Sequence, residues 1–383
     1  MIRRVSAVAL LVVALPPLRA DETADLLEQI KRVAPQGANA PAARAALDKL
    51  VKEGPAALPA ILAALDTPDT VAANWLRSAF DQIADEEIRK GGKGIDADAL
   101  VSFAQDVKHH GRARRLALSL VEQLRPGTED RFLFERLGDA EFRYEAIDFE
   151  LNRRRGKGAW YKQTNAAEIL RQLFAETRDL AQSREVANKL REYGAEVSIA
   201  DHFGFLRDWY IVGPFDANGM KGFKTVYPPE EKLDLAAKYE GKDKKPLQWM
   251  RFTAPETRTG KHVALVDLRK PLGDAEDAVA YAHTAFESPD VREVEFRGAA
   301  DDNLTVWVNG ERVFGFEEYR NGVRFDRHRL KVRLKAGVNT VLVKVCQAPS
   351  DVTNRDPNWE FLLRVCDASG KGLLFKSALP TAK

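Results

Sequence analysis

The residues best placed to meet a ligand cluster between positions 301 and 321. Asn309-Gly310 is the strongest short hairpin signal, because a type I′ turn needs φ > 0 at both central positions. A two-residue loop there sets Trp307 opposite Arg312. Leu304, Val306 and Val308 then share the inward strand face, and Trp307 points the other way. An outward tryptophan can stack on a sugar ring. More often such a residue packs under a neighbouring loop or the helical half, here with Arg312 laid over it, since large aromatics are mostly buried. Trp209 poses the same choice. Tyr319, Arg320 and Asn321 fall in the loop after the hairpin, where ligand contacts usually lie. Asp301-Asp302 offers paired carboxylates, the hard oxygen ligands that calcium prefers. More often such a pair hydrogen-bonds its own turn, and no EF-hand-type ligand set accompanies it.

The usual catalytic signatures are missing from the sequence. There is no Gly-x-Ser-x-Gly elbow and no arguable Cys–His arrangement. His109 and His110 are adjacent, so their rings diverge and lack metal-ligand spacing. Nothing selects one Asp/Glu pair as a glycosidase pair. The expectation is therefore a protein that is not an enzyme and has no cofactor beyond the weak calcium candidate.

Cys346 and Cys366 could be oxidised in an exported protein. If 338–347 and 359–367 form a hairpin, Cys346 lies opposite Glu360. Cys366 is then about 20 Å away at about 3.3 Å per residue. That is beyond the reach of about 7 Å between Cα atoms that a disulfide allows, so two free, buried thiols are expected.

Around these residues the second half reads as β-structure. Strand patterns run Trp209–Phe215, His262–Leu268, Val279–Ser288, Val291–Arg297, Leu304–Val308, Glu311–Phe316, Leu330–Leu334 and Asn339–Val345. Many short strands with turns at close spacing are the signature of an antiparallel β-sandwich. Residues 21–200 read instead as successive helices. Leu58, Ile61, Leu62 and Leu65 recur at i, i+3, i+4 and i+7. Asp66-Thr67-Pro68-Asp69 breaks that helix and starts the next, with Thr67 able to cap and Pro68 suited to the first helical position. The junctions Leu65-Asp66 and Leu137-Gly138 are 72 residues apart, room for two units of about 36 residues.

At 383 residues the chain can hold two cores. Arg3 and Arg4 precede the apolar run Val5–Leu15, and Ala20 precedes Asp21. A run of eleven residues is too short for a membrane span, and the pattern fits a cleaved secretion signal over 1–20. Its loss removes three arginines and no acids, taking the formal charge from +2 to −1. A near-neutral chain has no global field to attract nucleic acid, and no later segment is apolar enough to span a membrane. A secreted or periplasmic location follows as the expectation.

The helical pattern over roughly 41–155 resembles a HEAT-type α-solenoid, which implies a protein partner along a concave face. The alternative is a helical bundle that caps or spaces the β half. Residues 205–377 resemble the galactose-binding-like jelly-roll modules. The likeness rests on Ala280-Tyr281-Ala282, Glu295–Asp302, Val306–Gly310, Leu334–Asn339 and Val343-Lys344-Val345. The opening Trp209–Phe215 with Tyr227-Pro228-Pro229-Glu230 is similar to a form that follows helical repeats in secreted planctomycete-type proteins. The resemblance implies non-catalytic binding of carbohydrate or a surface polymer. Its alternatives are a scaffold without a small ligand and an accessory component of a glycoside hydrolase system.

Overall fold

A computed structural model describes residues 18–153, 165–257, 261–319, 322–349 and 358–380. The apolar run Val5–Leu15, Arg320 and Asn321 lie outside the described residues. The chain is a mixed α and β protein that divides into two compact units between Glu150 and Leu151.

The first unit is helical: α1 (Leu18–Lys31), α2 (Ala40–Glu53), α3 (Leu58–Ala64), α4 (Thr70–Arg89), α5 (Ala97–Gln105), α6 (Gly111–Leu124), α7 (Thr128–Leu133) and α8 (Arg143–Asp148). The apolar stripe read from the sequence is the buried one, with Leu58, Ile61, Leu62, Leu65, Leu76, Phe80 and Ile83 in one core. The cap of α4 differs from the expectation. Asp69, not Thr67, caps it, accepting from the Val71 (2.8 Å) and Ala72 (3.2 Å) N–H groups. A carboxylate directly before the first turn also meets the positive end of the helix dipole. The junction acids tie neighbouring helix pairs together. Asp66 accepts from the His110 N–H (2.7 Å) and pairs with His109 Nδ1 (2.8 Å). Asp139 forms a buried two-pronged pair with Arg114.

The second unit opens with α9 (Ala166–Glu176), α10 (Leu180–Glu192) and α11 (Ile199–Phe203). The division therefore falls about fifty residues before the composition shift near residue 200. Bonds to distant sequence hold α11 to this unit. Glu256 accepts from the Ile199 N–H (2.7 Å) and the Ser198 hydroxyl (2.8 Å), and Arg364 donates to the Phe203 carbonyl (3.1 Å).

Two antiparallel sheets follow. The larger contains β1 (Asp208–Asp216), β4 (Met250–Thr253), β6 (Ala278–Ser288), β8 (Leu304–Val308), β9 (Glu311–Phe316), β11 (Gly337–Gln347) and β13 (Lys376–Ser377), in the order β4-β1-β6-β11-β8-β9 with β13 also on β6. The smaller runs β10 (His328–Leu334), β7 (Arg292–Ala300), β12 (Glu360–Cys366), β5 (Val266–Asp267). A short pair, β2 (Lys238–Glu240) and β3 (Pro246–Gln248), lies in the segment after β1. Both larger sheets contribute to a single core: Trp209, Ile211, Leu304, Val306 and Val343 from one, Phe296, Leu330, Phe361 and Val365 from the other.

The expected hairpin between 338–347 and 359–367 does not form. β11 pairs with β6 and β8, whereas β12 pairs with β7 and β5 in the other sheet. Both cysteines are free and buried, but each belongs to a different sheet, which is what separates them.

β6 and β11 are buried on both faces. Their outer face carries a second core, built from Phe215, Tyr227, Leu247, Trp249, Val279, Tyr281, Leu342 and Cys346. The segment 217–249 is therefore a cover folded over the larger sheet.

Candidate ligand-binding face

A buried charge pair ties the cover to the larger sheet. Lys344, on β11, is 2% exposed. Its ammonium donates to Glu230 Oε1 (2.7 Å) and to the Thr225 carbonyl (2.6 Å), and faces the rings of Tyr227 and Tyr281. The Tyr281 hydroxyl donates to the same Glu230 carboxylate. Burial first, then the Glu230 charge, pushes the Tyr281 phenol well above its ordinary range, so it stays a donor.

The outer face beneath the cover follows from register. Leu342 pairs with His283 and Trp307, and Trp307 with Arg312. The next row is Tyr281, Lys344, Thr305 and Gly315. Asn309 (φ 54°) and Gly310 (φ 82°) form the tight turn read from the sequence, and Trp307 faces away from the Leu304–Val306–Val308 core as expected. His283 Nδ1–H donates to the Val341 carbonyl (3.0 Å), and burial lowers its pKa to about 4, so the ring is neutral.

Three of the residues singled out in the sequence meet here. Trp307 is partly buried against the cover's core. Arg312 is exposed, with its guanidinium 5.6 Å from the Phe223 ring. It folds across Gly315, where an added Cβ would lie 2.1 Å from Nη2. The Tyr319 hydroxyl donates to the Met220 carbonyl (3.0 Å), and burial raises its pKa to about 12. Arg312 and Tyr319 thus both grip the 220–223 stretch of the cover.

Trp209 does not belong to this face. It is 0% exposed between the sheets, edge-on to Phe361 at 5.1 Å, with its indole N–H on the Leu206 carbonyl. Its parity with inward Ile211 places it in the core, so it offers no surface to a ligand.

The Asp301-Asp302 pair is split by its surroundings. Asp302 is buried and accepts from the Ala348 N–H (2.8 Å). The Asp301 N–H donates to the Glu360 carbonyl. Among the described residues, no group of three or more His, Cys, Asp or Glu is arranged to hold a metal ion. Burial, then Asp302, raises the Asp301 carboxyl to about 6. Burial, then Asp301 and Asp267, raises Glu360 to about 7. Crowding of acids in a partly dry site accounts for both.

Asn303, Thr305 and Phe223 were missed in the sequence. Asn303 and Thr305 precede Trp307 by four and two residues, on the same strand face, so alternation could have found them. Phe223 lies in the cover, with no local signal of where it folds. Asn303 (0% exposed) and Thr305 (2%) carry buried side-chain polar atoms without a hydrogen-bond partner. The Asn303 amide lies near the Tyr319 hydroxyl and the Cys346 thiol without closing an ordinary hydrogen bond to either.

No family model and no curated protein matches the chain. Among solved structures, it is similar to an anti-sigma factor domain-containing protein from Clostridium clariflavum at 11% identity and TM-score 0.25, covering 45% of this chain and 48% of that one. A beta-glucuronidase from an uncultured Clostridium sp. matches at 11% identity and TM-score 0.25, over 43% of this chain and 29% of that one. Ruminococcus gnavus beta-glucuronidase matches at 15% identity and TM-score 0.23, over 43% and 28%. The chain spans less than half the length of these structures, and likeness of this degree decides nothing about activity.

Proposed function

We propose that this chain is a non-catalytic binding protein of the cell envelope or exterior. In this reading the two sheets form a galactose-binding-like jelly roll that engages carbohydrate or a surface polymer. The helical unit is a HEAT-like array that offers a face to a protein partner. The basic start and short apolar run of the sequence support export. One observation carries the binding reading: a partly buried Trp307 beside an exposed Arg312, at the margin where the cover crosses the larger sheet. A partly exposed indole beside a cation suits the apolar face and polar rim of a sugar ring.

A scaffold role is the second reading. It is favoured by Trp209 and Tyr319, whose rings and hydrogen bonds are committed inside the fold. A glycan-array screen combined with intrinsic tryptophan fluorescence separates the two. Binding of at least one polysaccharide, with a fluorescence change, supports the first. No binding by a folded sample supports the scaffold.

A further inference from the structure

We propose that the outer face of β8 is a binding site for an acidic saccharide, with Arg312 taking the anionic group, Trp307 the ring face and Thr305 a hydroxyl. The inference rests on the carbohydrate-binding reading and specifies its ligand class. Asn303, Thr305 and Trp307 occupy alternate positions, so they form one row from the buried interior to the margin of the cover.

Two features of that row call for a ligand. The first is unspent hydrogen-bonding capacity. Buried polar groups are almost always partnered, because a donor or acceptor left dry costs about 1–3 kcal/mol. Here the Thr305 hydroxyl has no partner, and the Asn303 amide has only loose contacts with the Tyr319 hydroxyl and the Cys346 thiol. The neighbouring Lys344 cannot supply one, since its ammonium is already held by Glu230 and the cover's carbonyls.

The second is an unspent charge. Arg312 is exposed, lies over the Phe223 ring and Gly315, and among the described residues no carboxylate pairs with it. Gly315 lies directly across from Thr305, and Arg312 folds over Gly315. The guanidinium therefore lies on the same face of the hairpin as Thr305, beside Gly315. An anion that engages Arg312 there meets the face that carries Thr305. A guanidinium fork matches carboxylate and sulfate geometry, and the adjacent indole takes the ring that carries them.

The test titrates the full chain by calorimetry with polygalacturonate, dextran sulfate and neutral dextran. The first two separate a carboxylate from a sulfate source. The proposal expects binding of at least one acidic polymer about tenfold tighter than dextran, with that preference lost in Arg312→Gln. It expects Thr305→Val to weaken binding severalfold without lowering the melting temperature. Equal affinity for dextran, or an unchanged acid preference in Arg312→Gln, overturns the acidic assignment and leaves the broader reading standing. Unchanged affinity in Thr305→Val shows that the row holds ordered water only and overturns the site. Absence of binding to all three polymers and across a glycan array removes the carbohydrate reading itself.

Discussion

The Lys344 ammonium lies 2.7 Å from Glu230 Oε1, with both side chains largely out of solvent. The two residues are 114 positions apart. Their contact fixes the cover of residues 217–249 to the centre of the larger sheet. Removing one partner of a buried pair strands the other charge, which costs about 3–5 kcal/mol. Lys344→Met should therefore destabilise the second unit by about that amount in urea titration. Adding Glu230→Gln should recover part of the loss, because no lone carboxylate then remains. If Lys344→Met costs nothing, the pair is not what holds the cover.

The two tryptophans named from the sequence should separate sharply. Trp209 is 0% exposed in the core shared by the sheets. Trp209→Ala should cost about 3–5 kcal/mol, as large cavities in cores do. Trp307 is only partly buried, against the cover. Trp307→Ala should cost less than half as much while removing saccharide binding. Denaturant midpoints of the two variants check the first half of this statement.

The buried histidines predict an acid limb. Burial, the largest cause for both, lowers His202 and His283 to about 4. Unfolded histidines take up a proton near pH 6.5. The unfolded chain therefore binds more protons between those values, and stability falls as pH drops from about 6.5 to about 4. His283→Asn keeps a donor for the Val341 carbonyl and should make that limb shallower. Melting temperatures across the window are the check, and an equally steep limb would contradict the assignment.

Asp301 and Glu360 act in the opposite sense. Their folded-state values of about 6 and 7 lie above the ordinary 3.8 and 4.5. The native protein holds protons that the unfolded chain has released, so their contribution is lost as pH rises from about 4 to 7. Glu360→Gln should raise stability at pH 8 and leave it nearly unchanged at pH 4. A uniform effect at both values would show that crowding of the acids is not the cause.

Local chemistry made part of this architecture legible. Asn309-Gly310 could hardly build anything except a tight hairpin, and alternation through Leu304, Val306 and Val308 turned Trp307 outward. The same alternation through Trp209 and Ile211 would have placed Trp209 inside. Pairing across long separations was harder to read. β11 and β12 are consecutive along the chain, yet they join different sheets, a choice set by their partners β6 and β7. α9–α11 look like the earlier helices in composition, but Glu256 and Arg364 tie α11 to the sheet-bearing unit. The partners of Thr305 and Arg312 also depend on the cover, whose position no local pattern specifies.

The most direct test of the binding account is a tryptophan-fluorescence titration of wild type and Trp307→Phe with the polysaccharides that score on a glycan array. The account predicts a saturable change in wild type, and in Trp307→Phe a smaller signal with weakened affinity. The same signal and affinity in Trp307→Phe would contradict it.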